Sequence, residues 1–142
     1  MKQLSGSCHC GAIAFTFSTH APAPFMRCYC SICRKTSGGG GYTVNMLGQY
    51  ATLKVTKGKD LTAPKDQQVL CQDRFFCPTC ASILVLPYAS CIDTELPKPE
   101  RATHIMMGSA AKWAVPEDGE RYDEYPPYSL EEWHKTHGYY VD

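Results

Sequence analysis

Apolar and polar positions alternate over Ile13-Ala14-Phe15-Thr16-Phe17, a period of two that predicts a strand. Ala21-Pro22-Ala23-Pro24 ends it, and Phe25-Met26-Arg27 begins a second short strand. Tyr42 to Met46, Leu53 to Gly58, Gln68 to Phe76 and Ser82 to Leu86 read as further strands, with a turn at Lys57-Gly58-Lys59-Asp60. Thr103 to Met107 reads as the final strand, and the Pro-rich segment 87–100 before it as a loop. One helix signal stands near the end. Ser129-Leu130-Glu131-Glu132 fits a capping box, which predicts a short helix over 129–136 stopped by Gly138. The expected fold is therefore mainly β, with many short strands and a short C-terminal helix.

The cysteines change this picture. Cys28-Tyr29-Cys30-Ser31-Ile32-Cys33 places three thiols within six residues. Disulfides need particular Cα separations, and three thiols cannot pair among themselves, so the run makes better sense as a claw for one metal ion. Thiolates select zinc, Cu(I) or iron–sulfur clusters, and tetrahedral zinc is the commonest outcome. Cys8-His9-Cys10-Gly11 is a second thiol turn, with Gly11 allowing a tight bend, and Cys77-Pro78-Thr79-Cys80 is a third, expected at the tip of a hairpin. Cys71 and Cys91 are isolated and read as ordinary buried thiols. Arg34-Lys35-Thr36-Ser37 follows the claw, and the four glycines Gly38 to Gly41 after it read as an open loop.

Two partitions of the paired cysteines are possible. Cys8, Cys10, Cys77 and Cys80 can form one closed four-thiolate site and leave Cys28, Cys30 and Cys33 as a second. Alternatively, Cys30 and Cys33 join Cys77 and Cys80 as a zinc ribbon and strand Cys8 and Cys10. Spacing does not exclude the ribbon. The first partition is preferred because it leaves no thiol turn idle.

The order Gly-Ser-Cys-His-Cys-Gly, Cys-x-Cys-x-x-Cys-Arg-Lys and Phe-Phe-Cys-Pro-x-Cys resembles the glutathione-dependent formaldehyde-activating enzyme family, which includes centromere protein V. Features at His104-Ile105 to Trp113 and at Tyr122 to Pro126 extend the likeness over most of the chain. The resemblance implies small sheets of the β-tent type pinned by two zinc ions in a single domain over 1–142. It implies a structural zinc on Cys8, Cys10, Cys77 and Cys80, and a catalytic-type zinc with an open position on Cys28, Cys30 and Cys33. It also implies glutathione and an aldehyde, formaldehyde, as substrates. One departure is Ala81, where the family usually has Gly after the last thiol of the third turn.

An open zinc held by three thiolates is already neutralised by its ligands. It is a weak Lewis acid toward water but can capture an incoming thiol as thiolate, which then attacks the aldehyde carbon. Arg27, Arg34 and Lys35 flank the claw and are candidates to pair with glutathione carboxylates, or to balance the thiolate charge. His9 between two ligands is expected to point away, and His104 to pack on its strand rather than carry protons.

Composition bounds the alternatives. At 142 residues, 44% apolar and 20% charged, the chain is long enough for a core without disulfides. The 14 basic and 14 acidic residues cancel, so no electrostatic case exists for nucleic acid or an anionic membrane as a partner. Nine cysteines without an apolar leader after Met1-Lys2-Gln3-Leu4 point to a reducing, cytoplasmic setting and metal rather than disulfides. The competing functional class is a non-catalytic zinc-stabilised binding module.

Overall fold

The computed structural model describes residues 1–37, 39–59, 75–84 and 88–142. The strand expected over Gln68 to Phe76 lies outside them except for its last two residues, as do Cys71, Gly38 and the last two residues of the expected strand Ser82 to Leu86.

Among the described residues, two sheets carry the fold. In the first, β1 (Lys2–Ser7), β2 (Ala14–Thr19) and β5 (Gln49–Lys57) run antiparallel in the order β1-β2-β5. The alternation seen in the sequence becomes the core face of β2, where Phe15, Phe17 and Thr19 are buried. β1 has no such apolar pattern and was not expected. It is a strand because β2 offers it a full ladder, Leu4 opposite Phe17 and Gly6 opposite Phe15. Glycine is required at position 6, since a Cβ there would sit 2.4 Å from the Phe15 ring and 2.5 Å from the Cys91 carbonyl oxygen. The tip of the β1–β2 hairpin is the Cys8–Gly11 turn.

The second sheet has four strands. β3 (Met26–Cys28) lies between β4 (Thr43–Val44), antiparallel to it, and β6 (Thr103–Ile105), parallel to it. β6 was expected to reach Met107. It stops at Ile105 because Met106 turns left-handed, at φ 59°, into a 3₁₀ turn over Met107–Ser109. A further strand not expected from the sequence, β7 (Glu120–Arg121), pairs parallel to β6. Segment 87–100 is also less loop-like than its prolines suggest. It contains a 3₁₀ turn over Ala89–Cys91, and Tyr88 and Ile92 bridge to Asn45 and Gly6.

Residues 31–37 carry no helix signal in the sequence. They belong to α1 (Ser31–Ser37). The Cys30 sulfur accepts from the Cys33 amide at 3.3 Å, as an N-cap side chain does, and no Gly or Pro interrupts the segment before the glycine run. Near the end of the chain α2 (Leu130–Thr136) forms with both halves of the Ser129–Glu132 capping box in place. The fold is mainly β with this short C-terminal helix.

Each sheet has its own apolar cluster. Leu4, Ile13, Phe15, Phe17, Met46, Leu84 and Tyr88 pack with Cys8 and Cys77. Phe25, Met26, Ile105 and Trp133 pack with Cys28 and Cys33, and the Trp133 ring stacks 3.7 Å from Phe25. His134 clamps α2 to this cluster. It is 1% exposed, its Nδ1–H donates to the Leu130 carbonyl at 2.7 Å, and its Nε2 accepts from the Ala23 amide at 2.9 Å.

Burial pushes the His134 pKa below 6.5, and the same cause lowers that of His104. The folded state then binds fewer protons than the unfolded chain as pH falls below 6.5. The stability these neutral imidazoles contribute is complete above 6.5 and is lost progressively below it, down to their lowered folded values. Urea unfolding midpoints at pH 7.5 and 5.5 should differ less in His134→Gln than in the natural protein. An equal difference in both would mean that His134 is not a source of the acid sensitivity.

Candidate metal and thiol site

The first thiol turn is built by local hydrogen bonds. The Gly11 amide donates to the Cys8 carbonyl at 3.0 Å, and the Cys8 amide donates to the Ile13 carbonyl at 3.1 Å. Gly11 adopts φ +71°, which closes the bend. The Ile13 amide points at the Cys8 sulfur, 3.2 Å away. The turn at Cys77–Cys80 is similarly made. Cys77 donates to the Ser82 carbonyl at 2.9 Å, Ala81 to the Cys77 carbonyl at 2.7 Å, and Phe76 bridges to Ile83 behind it.

These two turns face each other. The sulfurs of Cys8, Cys10, Cys77 and Cys80 all lie within 4.8 Å of one another, with Cys8–Cys10 at 3.6 Å and Cys10–Cys77 at 3.7 Å. A disulfide would need about 2.0 Å. A tetrahedron with zinc–sulfur bonds of about 2.3 Å has edges of about 3.8 Å, so the donor set fits such an ion. Ser82 stitches the turns together, its Oγ accepting from the His9 amide at 3.0 Å and lying 3.2 Å from the Cys80 sulfur. The Ser82 hydroxyl and amide, with the Cys10 amide, hold the Cys80 thiol at a pKa of about 5. Cys10 is pushed up to about 11; the Ala12 amide favours its thiolate, but desolvation and the neighbouring sulfurs outweigh it. Ser82 was missed in the sequence, although its place two residues after Cys80 is the available signal. The His9 side chain is exposed and outside the group, as expected.

Cys28, Cys30 and Cys33 form a separate group, again with all sulfurs within 4.8 Å. The sulfurs are thus gathered as in the first partition, not as a ribbon of Cys30 and Cys33 with Cys77 and Cys80. Cys28 ends β3, held on one side by Thr43 and on the other by Ile105, and the Tyr29 amide continues the pairing to the Ile105 carbonyl at 3.0 Å. Cys33 sits in the first turn of α1. Cys28 and Cys33 are buried, and Cys30 is half-buried. Hydrogen bonding from Cys28, with further contributions from Thr43, Cys30 and Asn45, lowers the Cys33 pKa to about 5 despite burial. The same interaction with Cys33, followed by burial, raises that of Cys28. Thr43 and Asn45 carry no motif and were not found in the sequence. Among the described residues no fourth Cys, His, Asp or Glu donor joins this group. Either group could hold a metal ion.

A family model described as "Glutathione-dependent formaldehyde-activating enzyme" matches residues 3–117, which contain both sulfur groups. The chain belongs to that family. A Halomonas elongata protein named "Putative glutathione-dependent formaldehyde-activating enzyme" is 42% identical, the match covering 95% of this chain and 96% of that protein. A Rhodobacter sphaeroides protein of known crystal structure is similar at 25% identity with a TM-score of 0.42, covering 57% of this chain and 71% of the other. β7 and α2 lie beyond the matched residues.

Other candidates fall outside the sulfur groups. His104 is fully buried, its Nδ1 3.1 Å from the Tyr29 hydroxyl, with Gly119 against its far edge. It packs on its strand, as expected. Cys91 is buried, its thiol donating to the Tyr88 carbonyl at 3.1 Å. Trp113 and Tyr125 are each 73% exposed. A cavity of about 490 Å³ lies beside Thr103, Tyr128 and Trp133, and no cysteine lines it. Among the described residues no helix is long and apolar enough to cross a membrane.

Ala81 adopts φ +60°, so a non-glycine residue takes the left-handed position of the third turn. That conformation costs a non-glycine residue roughly 1–2 kcal/mol, offset in part by the greater chain entropy that glycine loses on folding. Ala81→Gly should therefore raise stability by about 0.5–1 kcal/mol in denaturant titrations of the metal-loaded protein. A loss of stability would show that the turn has no strain for glycine to relieve.

Proposed function

We propose that the chain acts as one zinc-binding domain over 1–142 that joins glutathione to formaldehyde, as a carbon–sulfur lyase-type enzyme. Cys8, Cys10, Cys77 and Cys80 hold a closed structural zinc, and Cys28, Cys30 and Cys33 hold a second zinc with one position open. The observation that carries the reading is the three-sulfur group: buried on two sides, half-exposed at Cys30, and without a fourth donor among the described residues. Family membership supports the choice of thiol and aldehyde.

Bound by three thiolates, zinc would supply a position at which an incoming thiol loses its proton. The chain's own residues do the rest. β3 and α1 fix the buried sulfurs from both sides, and Thr43 and Asn45 orient Cys33. Phe25, Met26, Ile105 and Trp133 keep water from the inner side, so the substrate approaches at Cys30. In the reaction the glutathione sulfur bonds to the carbonyl carbon, and the C=O electron pair moves to oxygen. That oxygen takes a proton in place of the one the thiol lost. The product is S-hydroxymethylglutathione, and no oxidant or reductant is consumed. The setting is cytoplasmic, in keeping with nine cysteines and no disulfide among the described ones.

Calorimetric titration of the zinc-loaded protein tests this. Glutathione should bind with proton release, and S-methylglutathione should not. Cys30→Ser should abolish that binding and lower zinc from two per chain to one, while the fold survives on the other group. Equal binding of both peptides would exclude thiol capture. Binding of neither would leave a zinc-stabilised binding module as the better reading.

A further inference from the structure

Three cations flank the claw, and the structure separates them. Arg27 lies on β3 between Met26 and Cys28, and strand alternation turns its side chain to the opposite face from theirs. Its guanidinium is already engaged, 5.0 Å from the centroid of the Tyr42 ring. Lys35 is exposed on α1. At about 100° per residue it lies roughly 140° around the helix from Cys30. Arg34 differs from both. It is one turn after Cys30, about 40° around the helix, and its amide donates to the Cys30 carbonyl at 3.0 Å. Helical side chains lean toward the N-terminus, which here is the Cys30 end.

Arg34 also has an unmet need. Its side chain is half-buried, and its Nε–H is shut off from solvent with no acceptor among the described residues. A buried donor without a partner costs free energy comparable to a lost hydrogen bond. No internal acceptor among the described residues holds this Nε–H, and the guanidinium can turn toward one that arrives with the substrate. The planar fork of a guanidinium matches a carboxylate. Cys30, the least buried residue of the group, is the one that shares Arg34's face.

We infer that Arg34 is the carboxylate anchor of the thiol site. It takes the glycyl carboxylate of glutathione, which lies about one residue from the cysteinyl sulfur, much as Arg34 lies one helical turn from Cys30. The inference rests on the claw being the thiol site. It adds a selection rule: the preferred thiols carry an anion one residue beyond the sulfur-bearing residue. Arg27 and Lys35 have no part in that selection.

The test is a two-by-two calorimetric titration of zinc-loaded protein. Natural protein and Arg34→Gln are each titrated with glutathione and with glutathione esterified at the glycyl carboxylate. Zinc content is measured throughout, and Lys35→Gln serves as the control. Arg34→Gln should weaken glutathione binding by at least about tenfold, the range of a charge-assisted hydrogen bond. Esterification should weaken the natural protein by a similar factor and Arg34→Gln hardly at all. Arg34→Lys should recover only part of the loss, because it keeps the charge without the fork. The same esterification penalty in natural protein and Arg34→Gln would overturn the inference. So would loss of the second zinc in Arg34→Gln, which would make Arg34 a support for the thiolates. Natural protein that binds neither peptide would refute the thiol site itself, and the anchor with it. Binding of both peptides with no effect of Arg34→Gln would refute the anchor alone.

Discussion

Four sulfurs from two turns, Cys10 and Cys77 being 67 residues apart, meet within 4.8 Å, and the rest of the structure depends on that convergence. The turns are the ends of β-structure on either side of one apolar cluster, in which Cys8 and Cys77 are themselves buried. The apolar cluster and the sulfur group thus share residues and hold one another in place. Four thiolates within 4.8 Å of one another repel, so the group needs a counter-ion to be fully ionised. An ion that binds only the folded arrangement would add its binding free energy to folding.

The second sulfur group obeys a different logic. Its ligands are close in sequence, so the chain needs little folding to gather them, but their environment is entirely tertiary. Cys28 lies at the end of a strand flanked by an antiparallel and a parallel neighbour, and Cys33 beneath a helix turn backed by Trp133. Cys28 and Cys33 are therefore buried while Cys30 is half-buried. A fixed inner wall beside a less buried edge suits the thiol capture proposed above. α1 carries Cys33 and, in the next position, Arg34, so the proposed carboxylate anchor and one of the three sulfurs share an element.

Legibility follows the range of the interactions involved. Phe15 and Phe17 announced β2, and Ser129 with Glu132 announced α2, because alternation and capping act over a few residues. β1 and β7 carry no pattern of their own and exist through their neighbours' ladders. α1 was hidden by the glycine run that follows it. Its cap is a cysteine sulfur, a residue type that standard capping rules do not flag. Thr43, Asn45 and Ser82 reached the sulfur groups through folding alone, without a motif to mark them.

By itself, then, the amino-acid sequence determined the mainly β character, the three thiol turns and the family, since each is written in contiguous residues. Only the tertiary structure decided which turns share an ion-sized space, because spacing permitted two pairings and long-range packing selected between them. It also distinguished three neighbouring cations, whose side chains differ in direction rather than in composition. Strand alternation sends Arg27 away from the sulfurs, and helical periodicity brings Arg34 onto the face of Cys30.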